Sequence, residues 1–437
     1  MKSETIIALA SGSLPAGVAI IRLSGPACIA VAHRLFGAIP SARHASLVSI
    51  IDGDGVPIDR ALTLYFPKPK SFTGEDVLEL HVHGGPAVVR DTLTCCLAVP
   101  GVRLANPGEF TRRAFENGKM DLSAAEGLAD LVEAETVNQR RQALRQMEGA
   151  LAQEITRWRD AIIDCLVDAE GDIDFPDEDL PPGLNARARV RIQDLLCKLQ
   201  AYAHDAKRAQ RVRTGYRVAI IGPPNSGKSS LLNKLAGRDA AIVAPIAGTT
   251  RDIIEVRLVL NGMVVLVYDT AGIRDTKDAI ESEGVRRATM QAGDVDLRLA
   301  LITCDEDRLE LNSLMKPDDL WLLGQADRIA WGPAQRGELV ISSVQDIGIN
   351  HLEILLADRA ALDTAHSQAA PLTRLRHQDA VQEAIGCLAR AADATHASPE
   401  LIAEDLRLAA RALGRIAGQV DVEDVLDRLF AQFCIGK

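Results

Sequence analysis

Residues 222–229 read Gly222-Pro223-Pro224-Asn225-Ser226-Gly227-Lys228-Ser229, which fits the spacing G-x-x-x-x-G-K-[ST]. No other stretch of the chain constrains its fold as tightly. Residues 217–221 before it are mostly apolar and read as a short strand, and residues 231–235 after it begin a helix. That order has a physical reason. The glycines let successive backbone N–H groups turn toward one point, and the helix N-terminus adds favourable potential there for an anion. The anion is a nucleotide phosphate: Lys228 can bridge the β- and γ-phosphates, and the Ser229 hydroxyl can ligate Mg²⁺.

The surrounding segments extend the site. From 216 to 361 strands and helices alternate, as in a parallel α/β sheet. Gly248-Thr249-Thr250-Arg251-Asp252 follows the first helix and has the composition of a switch loop whose threonine completes a Mg²⁺ shell. Residues 264–268 form an apolar strand running into Asp269-Thr270-Ala271-Gly272. Asp269 would hold Mg²⁺ through water, and the Gly272 N–H would sense the γ-phosphate. Loss of that phosphate would release both loops. The base-reading segment is eroded. GTP-binding chains usually carry Asn-Lys-x-Asp after a later strand, whereas strand 320–323 here runs into Gly324-Gln325-Ala326-Asp327. Asp327 can still accept from guanine N1–H and the 2-amino group, which adenine does not offer. Ser342-Ser343, after strand 339–341, offers a final base-contact loop. The GTP-binding set is therefore Asn225, Ser226, Gly227, Lys228, Ser229, Ser230, Thr249, Thr250, Asp269, Thr270, Ala271, Gly272, Asp327, Ser342 and Ser343, with Ser229 and Thr250 as Mg²⁺ ligands. Ile273 stands where many GTPases place a water-orienting Gln. Asp275, Asp278, Glu281 and Glu283 are the nearby alternatives, and each also suits a solvated loop.

A chain of 437 residues fits roughly two to four domains. Four regions separate by pattern. Residues 1–118 show short β-branched runs between turns, an α+β pattern; 119–213 and 369–437 are helical; 214–368 hold the nucleotide motifs. A helical region split by an α/β domain suggests an insertion, with the two helical halves packed together. The acidic run 170–183, with Pro176, Pro181 and Pro182, reads as an inter-helix loop. A net charge of -11 argues against a broad nucleic-acid-binding surface and leaves room for a local basic patch or a basic partner. Eight scattered cysteines without a C-x-x-C pair suggest neither a zinc ribbon nor a disulfide framework. With no apolar stretch long enough to span a bilayer, the expectation is a soluble, cytoplasmic protein.

Beyond the nucleotide motifs, the chain carries Phe72-Thr73-Gly74-Glu75-Asp76-Val77-Leu78-Glu79-Leu80, His83-Gly84-Gly85-Pro86, Pro107-Gly108-Glu109-Phe110-Thr111 and the terminal Phe433-Cys434-Ile435-Gly436-Lys437. With these it resembles, over essentially its full length, the MnmE (TrmE) family of tRNA-modifying GTPases. The resemblance implies a multidomain α/β protein: an N-terminal α+β domain that binds 5-formyl-tetrahydrofolate and dimerises, and a helical domain with an inserted Ras-like P-loop GTPase domain. It implies a homodimer that forms a heterotetramer with a flavin-dependent MnmG-type partner. Together they add a carboxymethylaminomethyl or aminomethyl group to the wobble uridine of certain tRNAs. It implies GTP hydrolysis activated by K⁺ and by G-domain dimerisation, without an arginine finger.

Residue by residue, the resemblance assigns K⁺ to Asn225, Ala244, Ile246 and Thr249, the last three lying in the loop 244–249. Ala244 and Ile246 can offer only backbone carbonyls. Glu281, in Glu281-Ser282-Glu283-Gly284-Val285-Arg286-Arg287-Ala288, takes the water-orienting role, and Arg22, Glu79, Lys119 and Lys437 form the folate site. A carboxylate such as Glu79 can accept paired N–H donors of a pterin, while Arg22 and the lysines could meet the folate's glutamate carboxylates. Strand alternation puts Glu79, His81 and His83 on one face, where an ordinary exposed polar face is the competing account, and His81 with His83 lack a third metal ligand nearby in sequence. Cys434 is either a thiol acting near the one-carbon unit or part of a docking element. Two other functions remain open on sequence: a regulatory GTPase of the ribosome-assembly type, and a folate-binding scaffold with a weakened G domain.

Overall fold

The computed structural model describes residues 4–174, 184–238, 255–269, 295–335, 337–362, 372–393 and 398–418, together with Leu426, Leu429, Phe430, Phe433 and Gly436. It divides into two compact units. The first takes Met1–Ala129, Gln146–Ile192 and Gly386–Lys437; the second takes Asp130–Arg145 and Gln193–Ile385.

The first unit is built on a six-stranded sheet of β1 (Thr5–Leu9), β2 (Ala16–Ser24), β3 (Ser46–Ile51), β4 (Pro57–Phe66), β5 (Val77–Gly84) and β6 (Val102–Leu104), in the order β3-β4-β5-β2-β1-β6. All pairs are antiparallel except β1 with β6. Leu78, Leu80 and Val82 join Ile7, Ile21 and Leu23 in a core that also takes Val31 and Leu35 of helix Cys28–Phe36 and Val89 and Cys96 of helix Pro86–Leu97. The alternate residues Glu79, His81 and His83 face the other way, as period-two spacing requires. Helix Ala150–Asp174 packs along helix Pro399–Gly414, so segments from either side of the second unit's sheet in sequence meet in this unit. The acidic run begins later as a break than its composition predicts: residues 170–174 are still helical. Cys165 and Ala169 are buried one turn earlier, and Glu170 pairs with Arg407 at 2.6 Å. Packing of the helix on its neighbour outweighs the local acidity. Among the described residues no helix is long and apolar enough to cross a membrane.

The second unit carries β7 (Tyr216–Ile221), β8 (Glu255–Leu260), β9 (Met263–Asp269), β10 (Leu297–Ile302), β11 (Leu320–Leu323) and β12 (Glu338–Val340). Their order is β12-β11-β10-β7-β9-β8, parallel throughout except β8 against β9. Parallel strands covered on both faces read as near-continuous apolar runs, and all six residues of β10 are buried. Its one charged residue, Arg298, meets Asp319 at 3.3 Å. Helices Lys228–Ala236 and Ile349–Leu362 contribute Leu231, Leu232, Leu235, Leu352 and Leu356 to the core. Strand order reverses at β7, which lies between β10 and β9. In open α/β sheets the crevice beyond the carboxyl ends of the strands at such a reversal is where ligands bind.

Candidate functional site

β7 ends at Ile221, and the glycine-rich loop begins in that crevice. Asn225 (φ 63°) and Gly227 (φ 102°) adopt left-handed backbone, which turns the loop into the helix starting at Lys228. Gly222 has no room for a side chain: a Cβ there would lie 2.4 Å from the Leu301 carbonyl oxygen. Lys228 is buried and its Nζ donates to the carbonyls of Gly222 (2.9 Å) and Pro223 (2.7 Å), so the ammonium sits over the loop that would cradle phosphate. Ser226 is buried with its Oγ unpaired among the described residues. β7 pairs with β9 so that Ile220 stands opposite Asp269. That register brings the Ser229 hydroxyl to donate to Asp269 Oδ2 at 2.8 Å. A hydroxyl beside a carboxylate is a hard oxygen donor set of the kind Mg²⁺ takes. Asn225 and Ser230 are exposed at the mouth of the loop.

The base-reading segments also converge. Ser342, which is buried, donates to Asp327 Oδ1 at 2.7 Å. That hydroxyl holds the Asp327 carboxyl below its ordinary value; burial opposes the shift and Arg328, 3.6 Å away, assists it. Asp327 is thus fixed as an acceptor. Ser343 is half-buried beside it. Two contacts were not expected from the sequence. The Gln325 side-chain amide donates to the Asn225 carbonyl at 3.3 Å, and the Trp331 indole N–H donates to the Gly324 carbonyl at 2.8 Å.

A second constellation lies on the first unit's sheet. β2 and β5 pair with Arg22 opposite Glu79, and Arg22 Nε donates to Glu79 Oε1 at 2.8 Å. His81 Nε2 lies 3.4 Å from the other Glu79 oxygen. The Arg22 guanidinium stands 5.9 Å from the ring centres of both Phe72 and Phe110. Phe110 is fully buried with Ile6, Ala8 and Ala105 and meets Arg22 from the core side, whereas the exposed Phe72 offers an accessible ring beside the arginine. Lys119 Nζ donates to the Pro69 carbonyl at 3.0 Å and its stem lies by Gly74, in the same loop that carries Phe72. His83 engages a different carboxylate, Asp59, at 2.8 Å, and no cluster of three His, Cys, Asp or Glu side chains suited to a metal exists among the described residues. Gly436 (φ 104°) packs on the end of β1, where a Cβ would meet the Leu9 carbonyl at 2.3 Å. Phe433 joins Leu122, Leu426 and Phe430 in a small apolar cluster. The terminal motif is thereby anchored in the unit that holds Arg22 and Glu79.

Ala244, Ile246, Thr249, Thr250, Thr270, Ala271, Gly272, Glu281, Cys434 and Lys437 lie outside the described residues. The missed contacts had weak sequence signals. Phe72 and Phe110 stand inside two of the motifs quoted above and were noticed only as part of those motifs. Gln325 had only its departure from lysine.

Fold and nucleotide crevice together define a P-loop GTPase-type enzyme within a larger multidomain α/β chain. Comparison with known proteins narrows that class. Family models described as "GTP-binding protein TrmE N-terminus" and "MnmE helical domain" match residues 5–119 and 122–434. The tRNA modification GTPase MnmE of Parvibaculum lavamentivorans is 49% identical over 439 residues, covering 99% of this chain and 100% of that protein. Its counterpart from Caulobacter vibrioides is 48% identical over 451 residues, covering 100% of both. The G domain of the T. maritima FeoB iron transporter aligns with 33% of this chain and 98% of its own at 23% identity and a TM-score of 0.27. On the full-length identity and the two domain matches, the chain belongs to the MnmE family of tRNA modification GTPases.

Proposed function

We propose that the chain uses GTP hydrolysis to drive modification of C5 of the wobble uridine, position 34, of certain tRNAs, adding a carboxymethylaminomethyl or aminomethyl group with a folate-derived one-carbon unit. The observation that carries this reading is the presence in one polypeptide of two separate sites: the Lys228–Ser229–Asp269 crevice and the Arg22–Glu79 pair beside the exposed ring of Phe72. A regulatory GTPase has no use for the second, and a folate scaffold has no use for the first.

In the crevice, Lys228 offsets charge on the β- and γ-phosphates as the terminal bond breaks. Ser229 and Thr250 would hold Mg²⁺, with Asp269 acting through water; bound there, the ion neutralises developing phosphate charge. Asn225, with carbonyls of Ala244 and Ile246 and the Thr249 hydroxyl, would hold K⁺, which supplies the positive charge that other GTPases take from arginine. Glu281 orients the attacking water, since Ile273 has no polar atom. Thr270, Ala271 and Gly272 follow the γ-phosphate. In the other unit, Glu79 accepts from the pterin of 5-formyl-tetrahydrofolate, Arg22 fixes Glu79, and Lys119 with Lys437 meets the folate's carboxylates. Cys434 would act as a thiol near the folate-derived one-carbon unit. The working assembly is a homodimer joined by a flavin-dependent MnmG-type partner, acting on tRNA in the cytoplasm.

The test is complementation of a bacterium lacking its own enzyme, read as modified uridine in hydrolysed tRNA by mass spectrometry. Restoration by the wild-type gene, dependent on both Lys228 and Glu79, is the expected result. Restored growth without the modified nucleoside would favour the regulatory alternative. GTP turnover is expected to be at least 10-fold faster in K⁺ than in Na⁺; equal rates would refute the cation role.

A further inference from the structure

The eroded base-reading loop is built differently from the pattern it departs from. In Asn-Lys-x-Asp the asparagine amide serves the imidazole edge of guanine, at N7, and the lysine stem lies along the ring. Here position 324 is glycine, and its surroundings are close. A Cβ would sit 2.8 Å from Leu301 Cδ1 and 3.2 Å from the Ile302 carbonyl. The Gly324 N–H is spent on Ile302 O at 2.8 Å and its carbonyl accepts the Trp331 indole. No donor from this position faces N7. Gln325 takes left-handed backbone (φ 53°) and turns its amide away from the base region onto the Asn225 carbonyl of the phosphate loop. Asp327 keeps its acceptor role, fixed by Ser342.

We infer that this chain recognises guanine through one edge only: Asp327 reads N1–H and the 2-amino group, N7 goes unread, and Gln325 acts as a positioning residue that ties the base loop to the phosphate loop. The inference rests on the GTPase reading above and deepens it. It names the nucleotides the site should fail to distinguish, those altered only at N7, and those it should reject, those lacking the 2-amino group. A single neutral hydrogen bond such as that of Gln325 changes binding by a few-fold to about tenfold.

The experiment is competition against a fluorescent GDP analogue on the full-length protein in Mg²⁺ buffer. GDP, 7-deaza-GDP and IDP compete against the wild type and against Gln325→Ala, Gln325→Lys and Asp327→Asn, with thermal melting to confirm that each variant is folded. Expected are equal affinities for GDP and 7-deaza-GDP within about twofold, and IDP weaker by about tenfold or more. Gln325→Ala should weaken GDP and 7-deaza-GDP by the same few-fold factor, leaving their ratio and the GDP-to-IDP ratio unchanged. Gln325→Lys should restore affinity. Asp327→Asn should collapse the GDP-to-IDP ratio. A 7-deaza-GDP affinity tenfold below that of GDP would overturn the single-edge inference while leaving the GTPase reading intact. A Gln325→Ala protein with wild-type affinity would overturn the positioning role. Failure to bind any guanine nucleotide would overturn both readings together.

Discussion

Glu109 shows how much one side chain can organise in this protein's first unit. Its carboxylate accepts from Arg103 Nη1 at 2.9 Å, from Arg113 at 3.2 Å and from the Asn106 backbone N–H at 2.8 Å. Arg113 also reaches Glu75 at 2.9 Å, and Glu75 accepts from Ser24 on β2. Burial would raise the Glu109 carboxyl, but the Arg103 hydrogen bonds and the Asn106 N–H outweigh it and hold it below its ordinary value of 4.5. A depressed folded value means the stabilisation is present above the unfolded pKa and is lost as pH falls through the folded one. Glu109→Gln should therefore cost about 1–2 kcal/mol at pH 7. In urea titrations the difference from wild type should shrink steadily below about pH 4. A difference independent of pH would mean the carboxylate charge contributes nothing.

At the scale of elements, the strand–loop–helix unit of β7 depends on close backbone approach. Gly222→Ala places a methyl 2.4 Å from a main-chain oxygen of a fully buried strand, which has no side-chain freedom to give way. GTP binding should fall by more than about 100-fold, since the phosphate loop must move to relieve the clash; isothermal titration with GDP measures it. This unit was legible in the sequence because its chemistry sits in eight contiguous residues whose spacing has one structural solution. Strand alternation likewise gave the correct faces for Glu79, His81 and His83. The Gln325 contact was not legible: it depends on a left-handed backbone at one residue and a carbonyl acceptor 100 residues away. The acidic run was misjudged at its start because tertiary burial of Cys165 and Ala169 carries the helix to Asp174.

For the whole molecule, the two sites stand on separate sheets, each with its own core. Local damage should stay local while the joint product is lost. Lys228→Ala should abolish GTP hydrolysis and leave 5-formyl-tetrahydrofolate binding within about twofold of wild type. Glu79→Ala should lose folate binding by about 100-fold and keep GTP turnover, because the half-buried Arg22 is left without its carboxylate only in the first unit. Both variants should fail to modify tRNA. Paired filter-binding and phosphate-release assays read all of these, and loss of both activities in either variant would refute the separation. The family resemblance put Arg22 and Glu79 in one site without pairing them, since 57 positions separate them and no periodicity spans that distance.

Leu301 gives the nucleotide crevice a history as well as a shape. Its carbonyl closes on Gly222, its side chain contacts the space beside Gly227, and the same side chain fills the place an amino acid at 324 would need. An asparagine at 324 would require the Leu301 side chain to shift, since a Cβ there would stand 2.8 Å from its Cδ1. The residues at 301 and 324 are thus coupled by packing. Close relatives with asparagine at the equivalent of 324 are expected to carry a smaller or differently branched residue at the equivalent of 301.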